Sequence, residues 1–201
     1  MPPVRPAAVA GYFYPADPIE LADAVRDMLG QVQAPPASHP PKVIIVPHAG
    51  YVYSGPVAAT AYHAIAPWAG RIRRVILLGP SHRVALRGLA LPEAEAFATP
   101  LGSVALDLEF CERLARLPQV QRMNTCHAME HSLEVQLPFL QSVLNDFKLV
   151  PLIVGLASPQ DVADVLEFAW GGPETLIVLS SDLSHYLPYD QAKSRDQETL
   201  R

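Results

Sequence analysis

Lys42-Val43-Ile44-Ile45-Val46-Pro47-His48-Ala49-Gly50-Tyr51-Val52-Tyr53 is the stretch that settles how this chain is read. Four β-branched apolar residues in a row describe a buried strand, and the proline behind them ends it, so the strand hands His48 to a loop. The pattern recurs twice. Val75-Ile76-Leu77-Leu78-Gly79 runs into Pro80-Ser81-His82, and Thr175-Leu176-Ile177-Val178-Leu179 runs into Ser180-Ser181-Asp182-Leu183-Ser184-His185. In open α/β sheets the ligand crevice lies outside the carboxyl ends of the strands, so three histidines placed there are expected to share one cleft.

Helical patterns separate these strands. Asp17 is a suitable N-cap and Pro18 suits the first helical position, after which Ile19, Leu21, Ala22, Val25, Met28 and Leu29 form a stripe ending at Gly30. Ser54 is expected to cap a second helix rich in small residues, with His63 inside it as a packed or surface histidine. Leu86 to Leu91 reads as a strand, Pro92 to Thr99 as a loop, and Asp107 as the start of a helix through Leu117. Leu149 to Val154 reads as another buried strand. Ser158-Pro159-Gln160-Asp161 then opens a helix to Trp170, stopped by Gly171-Gly172. Strands alternating with helices give an α/β single layered domain with a largely parallel central sheet and helices on both faces.

Composition narrows the function classes. The chain has 201 residues, half of them hydrophobic and 17% charged, which suits one domain with a substantial core. Its net charge is −5 and its basic residues form no run, which argues against nucleic acid as a partner. No stretch approaches the length of a membrane span or a signal peptide, so a cytoplasmic protein without a membrane partner is expected. Two cysteines, Cys111 and Cys126, form no CxxC and do not suggest a disulfide framework. Tyr189 to Arg201 looks helical but ends in charged residues without a terminator. One domain over 1–201, lacking its carboxyl-terminal segment, is the expectation.

Between Thr125 and Leu144 the apolar positions Leu133, Leu137, Leu140 and Leu144 share a helical face. Glu130 and Glu134 lie one turn apart on another face and are expected to converge on a site. His48 and His82 follow strands that look adjacent and make the best metal-ligand pair. Imidazole suits iron, copper and zinc, and two histidines with an anionic group leave positions open for oxygen, water or substrate. His185, with Asp182 close by, is a candidate third ligand or general acid/base. The aromatic rings of Tyr12, Tyr14, Tyr51 and Tyr53, with Ser81, Glu130 and His131, are candidates for pocket lining. No GxSxG elbow, dinucleotide fingerprint or Walker motif occurs.

These motifs resemble the Memo family, the middle component of the AmmeMemoRadiSam set. The resemblance is carried by Val9-Ala10-Gly11 with Phe13-Tyr14-Pro15, Pro47-His48-Ala49-Gly50-Tyr51 with Tyr53-Ser54-Gly55, and Leu78-Gly79-Pro80-Ser81-His82. It continues through Glu130-His131-Ser132-Leu133-Glu134, Pro151-Leu152-Ile153-Val154-Gly155 and Ser180-Ser181-Asp182-Leu183-Ser184-His185. It implies a fold similar to class III extradiol dioxygenases without implying their activity. It also implies that His48 and His82 are metal ligands, that His185 stands near the metal, and that Asp182 and Glu130 are neighbouring polar positions. The family's third ligand is a cysteine nearer the carboxyl terminus, a position that neither Cys111 nor Cys126 matches, so the third ligand is expected to be absent from this chain. Two functions follow as expectations. One is a mononuclear non-haem site of iron or copper, zinc ranking lower, used in redox or oxygen chemistry. The other is a non-catalytic module binding a peptide or small molecule. An AMMECR1-like protein and a radical-SAM protein are the partners that the resemblance implies.

Overall fold

The computed structural model describes residues 3–35 and 37–200. A short strand β1 (Val4–Arg5) precedes helix α1 (Pro18–Gly30), whose Asp17 side chain accepts from the backbone N–H groups of Ile19 and Glu20. Then follow β2 (Val43–Val46), α2 (Tyr51–Ile65), β3 (Arg74–Pro80), β4 (Leu89–Leu91), β5 (Ala96–Thr99), β6 (Gly102–Ala105), α3 (Leu108–Leu114), β7 (Val120–Arg122) and α4 (Asn124–Ala128). The chain continues through α5 (Leu137–Val143), β8 (Lys148–Val154), α6 (Pro159–Ala169), β9 (Thr175–Ser180) and α7 (Tyr189–Thr199). Arg201, read from the sequence as part of the last helix, lies outside the described residues.

The main sheet has six strands in the order β2-β9-β3-β8-β4-β7. All pairings are parallel except β4 with β8. The domain is therefore α/β with a largely parallel central sheet. Both faces are covered, which is why its long inner strands β3, β8 and β9 are apolar between their end residues. Val75 and Leu77 of β3 belong to the core beneath α1, α2 and α5, whereas Ile76 and Leu78 face a second cluster containing Phe110 of α3 and Val165 of α6. The outer strand β2 is covered on one side only: Ile44 and Val46 are buried, and Ile45 is 63% exposed.

Several local expectations need correction. Strand β9 lies between β2 and β3, so the strands that precede His48 and His82 are not neighbours. Helix α2 begins at Tyr51, before Ser54, and the Ser54 hydroxyl donates to the Ala49 carbonyl from inside the first turn. The stretch read as a loop, Pro92 to Thr99, contains β5, which pairs antiparallel with β6 and parallel with β1 in a small second sheet. The sequence signal is weak there because alternation is carried mainly by Phe97, while alanine fills the positions beside it. Pro138 sits in the first turn of α5, where its missing N–H costs nothing. Among the described residues no helix is long and apolar enough to cross a membrane.

Candidate metal centre

The carboxyl ends of β2, β9 and β3 form one edge, and the loop from α4 to α5 is folded against it. Gly79 permits this approach, because a Cβ there would stand 2.8 Å from Leu133 Cδ2 and 2.9 Å from Ser132 Oγ. The Ser132 hydroxyl donates to the Pro80 carbonyl at 2.9 Å, fixing the loop to the strand end. This contact sets His131, on the loop, beside His82, just beyond β3.

Three imidazoles meet here. The ring centroids of His48 and His82 are 5.2 Å apart, those of His82 and His131 4.6 Å, and those of His48 and His131 5.6 Å. One ligand atom from each of the three lies within 4.8 Å of the others. The third ligand is expected outside the chain; the structure brings a third imidazole, that of His131, beside the pair. Phe13 of the lead-in packs against His131, with ring centroids 4.6 Å apart.

Electrostatics disfavour protonation of two of the three rings, His48 and His131. Burial lowers the His48 pKa, and the neighbouring His82 lowers it further against the pull of Asp182 and Glu130. Burial is also the main cause that brings His131 down to about 4, against the pull of Glu130 and with His82, His48 and Arg83 acting in the same direction as burial. Adjacent imidazoles that resist protonation expose lone pairs at neutral pH. His131 Nδ1 is buried and, although Glu130 Oε1 is 3.3 Å away, makes no hydrogen bond with the described residues, a gap that a bound cation would fill. The donor set therefore fits a borderline metal ion.

Glu130 organises His82. Its Oε2 accepts the His82 backbone N–H at 2.7 Å, and its Oε1 lies 2.8 Å from His82 Nδ1 while also accepting the backbone N–H groups of His131 and Ser132. Burial raises the Glu130 pKa, but these donors together outweigh it and hold the carboxyl below its usual range. An ionised carboxylate accepts only, so His82 Nδ1 donates to it, and in the neutral ring the lone pair is on Nε2.

Asp182 links the cluster to His185. Its Oδ1 accepts the His48 backbone N–H at 2.7 Å, and its Oδ2 lies 3.7 Å from His48 Nε2 and 3.5 Å from His185 Nε2. The His185 side chain is 58% exposed and stands outside the three-histidine group, at its solvent side. Glu134 does not reach this place. It is fully buried, paired with Arg5, and accepts from Ala8 N, Val9 N and the Tyr14 hydroxyl. Of the aromatic candidates, Tyr14 and Tyr51 are core residues, with the Tyr51 hydroxyl donating to the Val135 carbonyl at 2.7 Å. Tyr12 and Tyr53 are exposed. Tyr53 borders an apolar groove of about 360 Å³ with Ile45, Val57, Leu183 and Leu200. Ser81 lines an open cleft of about 590 Å³ with Val84, Leu86, Arg87 and Leu156.

Two residues of the site carried no sequence signal. Ser180 lies within a quoted motif but as an ordinary strand-end serine, and Gln136 looks like a polar position on a helix. Both are nearly inaccessible and both belong to the hydrogen bonds behind His48.

Fold and site together define an α/β protein with a histidine cluster at the carboxyl edge of a largely parallel sheet. The chain matches the Memo-like protein family over residues 5–201. It is 40% identical over 210 residues to a MEMO1 family protein of Methanopyrus kandleri, covering 98% of this chain and 74% of that one. It is 39% identical over 199 residues to a MEMO1 family protein of Aquifex aeolicus, covering 96% and 72%. The chain belongs to the Memo family.

Proposed function

We propose that this chain is a mononuclear metal protein in which His48, His82 and His131 hold iron or copper for redox or oxygen chemistry on a small molecule. The observation that carries this reading is the convergence of three imidazoles whose surroundings keep lone pairs available. When bound, such a metal supplies a Lewis acid and a redox couple. Zinc suits the same nitrogens but would supply no redox couple, which ranks it lower.

The chain's own groups supply the rest. Glu130 holds the His82 ring in the ligating tautomer. Asp182 stands between the cluster and His185, with Oδ2 3.5 Å from His185 Nε2, so it is the carboxylate through which the solvent-facing imidazole would exchange protons with the site. The cleft beside Ser81 offers apolar surface with Arg87 at its border, a setting for a small molecule with an anionic end.

A second reading has its own observation. The groove between Ile45, Tyr53 and Val57 is apolar and adjoins the outer strand β2, which suits an extended peptide added to the sheet edge. The two readings separate on metal content. Anaerobic loading with Fe(II) or copper, followed by metal analysis, should give one ion per chain, and oxygen consumption should depend on it. His185→Ala should keep the metal while changing the pH profile of that consumption. A chain that binds no metal at micromolar concentration supports the peptide-binding reading instead.

A further inference from the structure

Behind His48, away from the other two rings, lies a closed set of hydrogen bonds. His48 Nδ1 is 3.0 Å from Ser180 Oγ. Ser180 Oγ is 2.5 Å from the Ser132 carbonyl oxygen and 2.9 Å from Gln136 Nε2. Gln136 Nε2 also reaches the Pro47 carbonyl at 3.0 Å, and Gln136 Oε1 meets the Tyr62 hydroxyl at 2.9 Å. Ser180, Gln136 and Tyr62 are buried, so water does not complete their bonding.

Two backbone carbonyls decide where every proton sits. A carbonyl only accepts, so the Gln136 side that faces Pro47 must be the NH2 group. That group has a second hydrogen, which goes to Ser180 Oγ. The Ser132 carbonyl likewise accepts only, so it takes the one hydrogen that the Ser180 hydroxyl owns. Ser180 Oγ is left with acceptor capacity alone, one lone pair for Gln136 and one for His48. His48 must therefore carry its proton on Nδ1, leaving Nε2 as the only lone pair of the ring. The competing arrangement would place the proton on Nε2 toward Asp182, but that separation is 3.7 Å, too long for a hydrogen bond.

We infer that Ser180, itself held by Gln136, is a positioning residue that fixes the tautomer of His48 and keeps its Nε2 lone pair available to the three-histidine cluster. Its purpose rests on the metal reading above; its demonstration does not. Glu130 does the same for His82 from the β3 side, so the two rings are set by different chemistry: an ionised carboxylate in one case, a neutral hydroxyl whose hydrogen is already committed in the other. Strand β9 supplies this serine because it runs between β2 and β3 and ends beside the ring it orients.

The test is long-range proton–nitrogen NMR on the full chain with ¹⁵N-labelled histidine, metal-free and at a pH where His48 is neutral. The parent should show His48 protonated at Nδ1. Ser180→Ala should move it toward the Nε2-protonated form, and Ser180→Thr, which keeps a hydroxyl, should restore the parent signal. Anaerobic Fe(II) titration should show at least about tenfold weaker binding for Ser180→Ala, the effect expected when an outer partner of a ligating histidine is lost. If Ser180→Ala does not fold, Ser180→Cys is read in its place, since a thiol is a poor acceptor. A parent spectrum with the proton on Nε2, or a Ser180→Ala spectrum identical to the parent, overturns the inference. If the parent shows Nδ1–H yet binds no Fe(II), the tautomer assignment stands and the metal reading fails.

Discussion

Glu130 and Glu134 are separated by one helical turn in sequence and are used in opposite ways. Each is almost wholly buried, and each accepts several hydrogen bonds. Glu134 turns inward: Arg5, Ala8, Val9 and Tyr14 all donate to it, so its charge fastens the amino-terminal lead-in against the rest of the domain. Glu130 turns to the sheet edge, where its partners are His82 and the loop that carries His131. A buried carboxylate alone therefore does not mark a site. Both accept backbone amides; what separates the two is the side-chain donor beside them, the Arg5 guanidinium at Glu134 and the His82 imidazole at Glu130.

The largest effect should come from the inward-facing carboxylate. Glu134→Ala leaves the Arg5 guanidinium buried without its counter-charge, which should cost about 3–5 kcal/mol in urea unfolding. Replacing both partners by apolar residues, Arg5→Met with Glu134→Leu, should cost less than the single change. A single-variant cost below about 1 kcal/mol would remove the distinction drawn between the two glutamates.

Acid should act next, through the histidines. The His131 pKa is depressed from 6.5 to about 4, so its contribution to stability is fully present above pH 6.5 and is lost as the pH falls toward 4. The unfolded chain binds the extra proton in that window, and the loss is at most roughly 3 kcal/mol from this ring. His127, buried and brought to about 4 mainly by desolvation, adds to the same slope. Melting curves between pH 7 and pH 4.5 should show a falling midpoint, and His131→Gln should flatten the trend. Identical slopes for parent and variant would mean that His131 is not held neutral.

The outward-facing carboxylate should matter more to metal than to folding. Glu130→Gln should weaken metal binding by about 10–100-fold, because the amide no longer fixes the His82 ring through an ionised acceptor. Its unfolding cost should stay below that of Glu134→Ala. The smallest effect belongs to the groove: Tyr53 is 83% exposed, so Tyr53→Ala should change stability by no more than about 0.5 kcal/mol, leaving metal binding unchanged.

Much of the frame was legible in the sequence because the inner strands are buried on both faces. The runs ending at Leu78 and Leu179 have no polar alternation to confuse them, the run ending at Val46 is equally apolar although β2 is an edge strand covered on one side, and Asp17 and Ser158 mark helix starts by side-chain bonds that the structure contains. Strand order was not legible. Chain order places β2 beside β3, but β9 enters between them from a distance of more than a hundred residues, and no local pattern encodes that insertion. The small sheet of β1, β5 and β6 escaped for a related reason, since its first strand has two residues and pairs across about ninety positions. Spacing placed Glu130 and Glu134 together, whereas their separation is set by Arg5 reaching in from the far end of the chain. His131 looked like lining because its partners, His48 and His82, are assembled only by the sheet.

The most direct measurement is an anomalous difference map from crystals of the chain loaded anaerobically with Fe(II), collected on both sides of the iron absorption edge. A single peak in contact with ring nitrogens of His48, His82 and His131, at about 2.0–2.2 Å, is the expected result. A peak held by Asp182 and His185 without His131, or no peak at full occupancy of the other atoms, would contradict the account.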